Sequence, residues 1–235
     1  MLPENPVFVA LDTPDLEQAV AWADAVRPRV GGVKLGLEFF NSNGPDGVRR
    51  IVDLGLPVFL DLKFHDIPNT VAGAVNAVAG LGAAIVNVHA GGGSAMLSAA
   101  ATAAAEYGAN RPLVVAVTVL TSLDDDDLAS VGQAGPAVSQ VERLARLSQS
   151  CGLDGVVCSP AEIAVLRTAC GDRFRLVVPG IRPAWANAGD QKRIMTPREA
   201  RDLGADVLVI GRPITGSDDP AAAAARIADE LDISS

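Results

Sequence analysis

Eight short apolar runs rich in Val, Ile and Leu recur along the 235 residues, each followed by a stretch with helical spacing. The runs occupy 6–12, 32–37, 57–64, 84–90, 113–120, 155–159, 175–181 and 207–211. They are continuous rather than alternating, the pattern of parallel strands covered on both faces. Between them, Leu16, Ala19, Val20 and Ala23 fall at i, i+3, i+4 and i+7 and form an apolar helical stripe. Ser159-Pro160-Ala161-Glu162 and Thr196-Pro197-Arg198-Glu199 each combine a capping hydroxyl, a proline at the first helical position and a glutamate two residues further on. Both are capping boxes that predict helix starts. Asp219-Pro220 opens a last helix with Ala224, Ile227 and Leu231 inward. Eight βα units without a composition break predict a single-domain (β/α)8 TIM barrel over 1–235. A doubly wound open sheet is the alternative, but no GxGxxG follows the first run, so a dinucleotide fold loses its main support.

Composition narrows the partners. A formal net charge of −9 argues against general affinity for nucleic acid or an anionic membrane surface, so an anionic substrate needs a few placed cations. Three cysteines without a CxxC pair, Cys151, Cys158 and Cys170, point to a reducing cytoplasm rather than a disulfide framework. The N-terminal MLPENPVFVALD has neither a basic region nor a long apolar stretch, so no signal peptide is expected. Val71 to Val88 lacks charge for a span's length, yet Asn76, Asn87, Gly80 and Gly82 within it predict a helix, a break and a strand.

In such barrels the reactive face lies at the C-terminal ends of the strands. The first run ends in Asp12, the second carries Lys34, the third carries Asp61 and Lys63, and Asp66 follows in the loop. Unpaired charges inside apolar strands are costly, so these residues demand either a structural ion-pair network or a site. Strand alternation puts Asp61 and Lys63 on one side, where Lys34 of the neighbouring strand can join them. The expected product is a Lys–Asp–Lys–Asp array that keeps an ammonium charged and fixed. Gly211-Arg212 after the eighth run and Pro179 to Arg182 after the seventh mark the loops where this fold grips phosphate. The polar stretch Arg182 to Met195 is long enough to be a lid, with Gln191 and Arg193 as donors on closure. His65 and His89 lack a metal or nucleophile partner in sequence and are assigned either structural roles or roles supporting the site residues; Cys158 is read as a buried small hydrophobe.

These residues carry a resemblance. DLKFHDIPNT at 61–70 fits the D-x-K-x-x-D signature of the orotidine 5′-phosphate decarboxylase family. VALD at 9–12, GVKLGLEFF at 32–40, VTVLTS at 117–122, VVPGIRP at 177–183 and LVIGRPIT at 208–215 match the family in order. The resemblance implies that Lys63 donates a proton to C6 of the pyrimidine, within a charge array of Lys34, Asp61, Lys63 and Asp66. It implies a homodimer in which Asp66 and Thr70 reach the partner's site. It further places Asp12 near the ribose hydroxyls and Thr121 on the pyrimidine amide edge. Arg182, Gln191, the Gly211 backbone and Arg212 then fall on the phosphate. No thiamine, pyridoxal or metal-ligand motif is evident in the chain, so no cofactor is expected and carbanion stabilisation falls to the protein.

Three rivals are open at this stage. The Mg2+-dependent 3-keto-L-gulonate 6-phosphate decarboxylases and hexulose-phosphate synthases share the barrel and signature, but carry an acidic metal ligand on the second strand where Lys34 stands. A Schiff-base aldolase would need Lys63 as a neutral amine, which flanking carboxylates oppose. A non-catalytic phosphate-binding barrel would keep Arg212 and the lid without a reason for the array.

Overall fold

The computed structural model describes residues 2–133, 135–186 and 195–233. Eight parallel strands close into a barrel in chain order. They are β1 (Val7–Ala10), β2 (Gly32–Leu35), β3 (Val58–Phe64), β4 (Ile85–His89), β5 (Leu113–Val117), β6 (Gly155–Val157), β7 (Arg175–Pro179) and β8 (Val207–Ile210). The wrapping helices are α1 (Leu16–Val26), α2 (Leu37–Val52), α3 (Pro68–Ala79), α4 (Gly93–Ala105), α5 (Asp125–Ser130), α6 (Ala137–Ser150), α7 (Ile163–Cys170), α8 (Pro197–Asp202), α9 (Arg212–Thr215) and α10 (Pro220–Glu230). The TIM barrel expected from the spacing of the runs is the architecture found; the open sheet is not.

The strands read as continuous apolar runs because both of their faces are buried. Inside, Phe8, Ala10, Phe59, Ile85, Val115, Val177, Val207 and Val209 form one plug. Outside, Val7, Val9, Val33, Leu35, Val58, Leu60, Val86 and Val88 pack with the helices in a second, larger cluster. Burying each Val, Ile or Phe of the plug contributes roughly 1.5–3 kcal/mol relative to leaving it exposed. Gly32 is required by that plug: a Cβ there would lie 2.5 Å from the Phe8 ring.

The strands are shorter than the apolar runs. The run 6–12 yields a strand ending at Ala10, and the run 113–120 one ending at Val117. The surplus residues turn into the loops over the mouth, where Val119 is still buried, so hydrophobicity outlasts the ladder. Helix starts follow the capping signals. Ser159 and Glu162 form a capping box ahead of α7, Thr196 and Glu199 form one at α8, and Asp219 caps α10 by accepting from the Ala222 N–H. The uncharged segment Val71 to Val88 is a helix, a break and a strand, and no helix among the described residues is long and apolar enough to cross a membrane.

At the opposite end of the barrel one device appears twice. Asp154, just before β6, accepts from the Val114 N–H of β5 at 2.8 Å and from both terminal nitrogens of Arg111 at 2.9 and 2.6 Å. Asp206, just before β8, accepts from the Leu176 N–H of β7 at 2.8 Å and pairs with Arg175 at 2.6 Å and with Arg167. Each aspartate also donates its own N–H back to the neighbouring strand, to the carbonyls of Val114 and Leu176. These carboxylates stitch strand starts together on the face that this fold reserves for stability.

Candidate active site

At the mouth the inward-facing positions change from apolar to polar or charged. Lys34 is the next inward residue after Gly32 on β2, Asp61 after Phe59 on β3, and Asn87 after Ile85 on β4. Asp61 lies between two ammonium groups: Lys63 Nζ donates to Oδ1 at 2.6 Å and Lys34 Nζ stands 3.6 Å from Oδ2. Lys34 also donates to Asp12 Oδ1 at 3.0 Å. Burial pushes the Asp61 carboxyl up, but the charges of Lys34 and Lys63 and the hydrogen bonds from Lys63 and Asn87 outweigh it and hold Asp61 below the ordinary carboxylate range. Lys34 and Asp61 are nearly enclosed, with side-chain exposures of 11% and 13%, whereas Lys63 keeps 29% and faces the cavity.

The route by which Asp61 and Lys63 meet differs from simple alternation. Lys63 has φ 52, a left-handed conformation uncommon for a residue with a Cβ. The β3–β4 ladder runs Phe59 with Ile85 and Leu60 with Val86, then resumes at Phe64 with Val88. Three residues of β3 thus face the single residue Asn87, a bulge of the kind that re-aims a side chain beside a site. Asn87, fully buried, accepts the Lys63 backbone N–H at 2.8 Å and donates to Asp61 Oδ1 at 2.6 Å. Sequence reading noted Asn87 only as a polar break in an apolar stretch; a buried amide one strand away from the paired charges was the available signal.

A cavity of about 300 Å³ opens above the array. Its lining includes Asp12, Lys34, Asp61 and Lys63 on one side, and Arg182, Gly211 and Arg212 on the side of β7 and β8. Thr121, on the loop after β5, lines it as well. β3 and β7 are four strands apart in a barrel of eight, so the lysine array and the arginines face each other across the mouth. Gly180, also in the lining, takes φ 79 and turns the chain from β7 into the arginine loop. Arg182 is buried and Arg212 exposed at the first turn of α9.

The four-membered array predicted from sequence is not assembled within one chain. Asp66 lies beyond the end of β3, exposed, and its Oδ1 accepts the N–H of the adjacent Ile67 at 2.7 Å. Neither Asp66 nor Thr70, exposed in the first turn of α3, lines the cavity. The ladder stops at Phe64, so the alternation argument has no strand to act on at Asp66; Asp12 is the second carboxylate that Lys34 meets. Gln191 and Arg193 fall outside the described residues. The described residues on either side of them are joined, with Ile181 bridging Met195 and the Arg182 N–H donating to the Met195 carbonyl at 3.0 Å. On the first of those sides the Arg226 guanidinium of α10 lies 4.1 Å over the Trp185 ring.

His65 and His89 pack with ring centroids 5.5 Å apart and do not line the cavity. Burial, with the nearby His65 and Lys63 charges, lowers the His89 pKa below its usual 6.5. Cys158 is fully buried beneath the cavity, and burial raises its thiol well above the usual 9.0, which keeps it protonated. Among the described residues no three His, Cys, Asp or Glu side chains converge as a metal site.

Fold and site together define a TIM barrel that holds a fixed lysine–aspartate–lysine cluster opposite a pair of arginines across one small cavity. The sequence profile described as "Orotidine 5'-phosphate decarboxylase / HUMPS family" matches residues 5–227, and the chain belongs to that family. An orotidine 5′-phosphate decarboxylase from Paramagnetospirillum magneticum is 57% identical over 231 residues, covering 97% of this chain and 98% of the relative. One from Rhodospirillum rubrum is 58% identical over 97% of this chain and 94% of its own. The crystal structure of orotidine 5′-phosphate decarboxylase from Lactobacillus acidophilus superposes with a TM-score of 0.86 at 38% identity, covering 99% of this chain and 100% of that one.

Proposed function

We propose that the chain decarboxylates orotidine 5′-phosphate to uridine 5′-phosphate, the last step in making that pyrimidine nucleotide. The observation that carries the reading is Asp61 held between Lys34 and Lys63 at the floor of the cavity, in a chain whose relatives bear that activity in their names. Loss of CO2 from C6 leaves an electron pair in an in-plane orbital that the ring delocalises poorly. In this reading the Lys63 ammonium stabilises that charge and then transfers its proton to C6. Asp61 fixes the ammonium, and Lys34 bridges Asp61 to Asp12, which faces the ribose hydroxyls. Thr121 reads the pyrimidine amide edge. Arg182, Arg212, the Gly211 backbone and Gln191 take the phosphate, and the loop 182–195 acts as the lid. Binding energy gathered there, far from C6, orients the ring over Lys63.

The homodimer belongs to the same proposal. Asp66 and Thr70 stand outside their own cavity, and Ile67 between them is 67% exposed, an arrangement suited to insertion into a partner's site. There Asp66 would lie against the leaving carboxylate. The Mg2+-dependent reading is disfavoured by Lys34: an ammonium cannot replace the acidic ligand that chemistry requires on the second strand. The test is the fall in ultraviolet absorbance as orotidine 5′-phosphate is consumed, run with and without EDTA. Equal rates in both are expected. Activity that appears only with added Mg2+, or none at all, would overturn the assignment.

A further inference from the structure

The bulge between β3 and β4 places one side chain in contact with both halves of the catalytic pair. Asn87 Oδ1 accepts from the Lys63 main chain, and its Nδ2 donates to the same Asp61 oxygen that receives the Lys63 ammonium. The amide's orientation is unambiguous, because a backbone N–H can only donate and must therefore meet the oxygen. We infer that Asn87 is a positioning residue for the reaction: it holds Lys63 in the left-handed backbone conformation that returns its ammonium to Asp61, and it fixes Asp61 from the side opposite Lys34.

The chemistry of position 87 supports this assignment. The register jump leaves no β4 main-chain partner facing Lys63 in the ladder, so its N–H depends on a side-chain acceptor. A conformation with φ 52 in a residue bearing a Cβ persists only where its surroundings over-determine it. Serine or threonine is too short to reach both groups, and leucine satisfies neither. Aspartate has the right shape and keeps the acceptor for Lys63, but it sets a second carboxylate oxygen against Asp61. Asparagine alone among residues of this size supplies acceptor and donor at once.

The inference rests on the decarboxylase reading, so its test carries one readout that needs no reaction. In Asn87→Ala, amide exchange at Lys63 is expected to accelerate by at least about tenfold, while Asn87→Asp retains the acceptor and the protection. With orotidine 5′-phosphate, both variants are expected to lose about 100-fold in kcat, since a small misplacement of a reacting group has that scale. Affinity for uridine 5′-phosphate should stay within about threefold, because its phosphate contacts are untouched. The kcat of Asn87→Asp should recover as pH falls, when a proton shared between residues 61 and 87 restores the missing donor. Unchanged Lys63 exchange in Asn87→Ala, or kcat within about threefold of wild type in both variants, would overturn the inference. Parallel loss of product binding and turnover in both variants would also overturn it, marking Asn87 as a folding residue only. A wild-type enzyme inactive on the substrate would instead refute the decarboxylase reading while leaving the exchange result interpretable.

Discussion

Replacing Asp206 by alanine should destabilise the barrel without slowing its chemistry. Asp206 and Arg167 are enclosed, with side-chain exposures of 13% and 14%, and the carboxylate serves Arg167, Arg175 and the Leu176 N–H together. Removing one partner of a buried pair costs about 3–5 kcal/mol, because the other charge is stranded. Arg167 retains the carbonyls of Gly204, Phe174 and Gly171, which moves the expectation to the lower end of that range. For a domain of this size each kcal/mol lowers Tm by about 2–4 °C, giving a fall of roughly 6–15 °C. Thermal melting by circular dichroism would measure it, with Asp46→Ala as the control. Asp46, 96% exposed, pairs with Arg49 in a surface contact whose loss should leave Tm within error of wild type. The kcat of folded Asp206→Ala should equal that of wild type, since the site lies at the other end of the strands. A Tm drop below about 2 °C, or a loss of kcat at a temperature where the variant is folded, would refute the division between a stabilising face and a reactive one.

Lys63→Ala should abolish turnover and leave binding of uridine 5′-phosphate nearly intact, as measured by ultraviolet assay and calorimetry; near-normal turnover would remove Lys63 from the proton-donor role. Mixing inactive Lys63→Ala with inactive Asp66→Ala should restore about a quarter of wild-type activity, because half of randomly exchanged dimers would hold one intact site. No recovery after verified subunit exchange would place Asp66 in its own chain's site. His89 binds its proton less readily folded than unfolded, so stability should fall as pH drops below the usual 6.5 toward the lower folded value. His89→Gln should flatten that slope in pH-dependent melting, and an unchanged slope would assign it to another group.

Much of this was legible in the chain, for identifiable reasons. Burial on both faces writes itself as continuous apolar runs, so eight strands could be counted, and Ser159, Thr196 and Asp219 marked helix starts by hydrogen-bonding chemistry that is local in sequence. Lys34, Asp61 and Lys63 stood out because charge in a buried strand needs a partner. What sequence did not reveal depends on register. The bulge at Lys63 arises from how β3 meets β4 and leaves no local signature, so in sequence Asn87 shows only as a polar residue in an apolar run, one strand from the paired charges. Asp66 lies past the ladder's end, so strand alternation says nothing of it and only the resemblance assigns it to a partner's site. Asp154 and Asp206 were overlooked because each stands just before an apolar run, the end at which this fold does no chemistry.

The junction of Ile181 with Met195 divides the work of the molecule. Because the chain enters and leaves the loop at one tied point, its length and content can drift without changing how β7 leads into α8. Doubling such a loop adds only about 0.6 kcal/mol of closure entropy. In the proposed reading of that loop as the phosphate lid, variation in ligand grip can therefore accumulate as an exchangeable cassette while Lys34, Asp61, Asn87 and Lys63 stay locked in the sheet. Transplanting the segment between relatives should alter how tightly a phosphate is held, and leave the proton-transfer step where the strands put it.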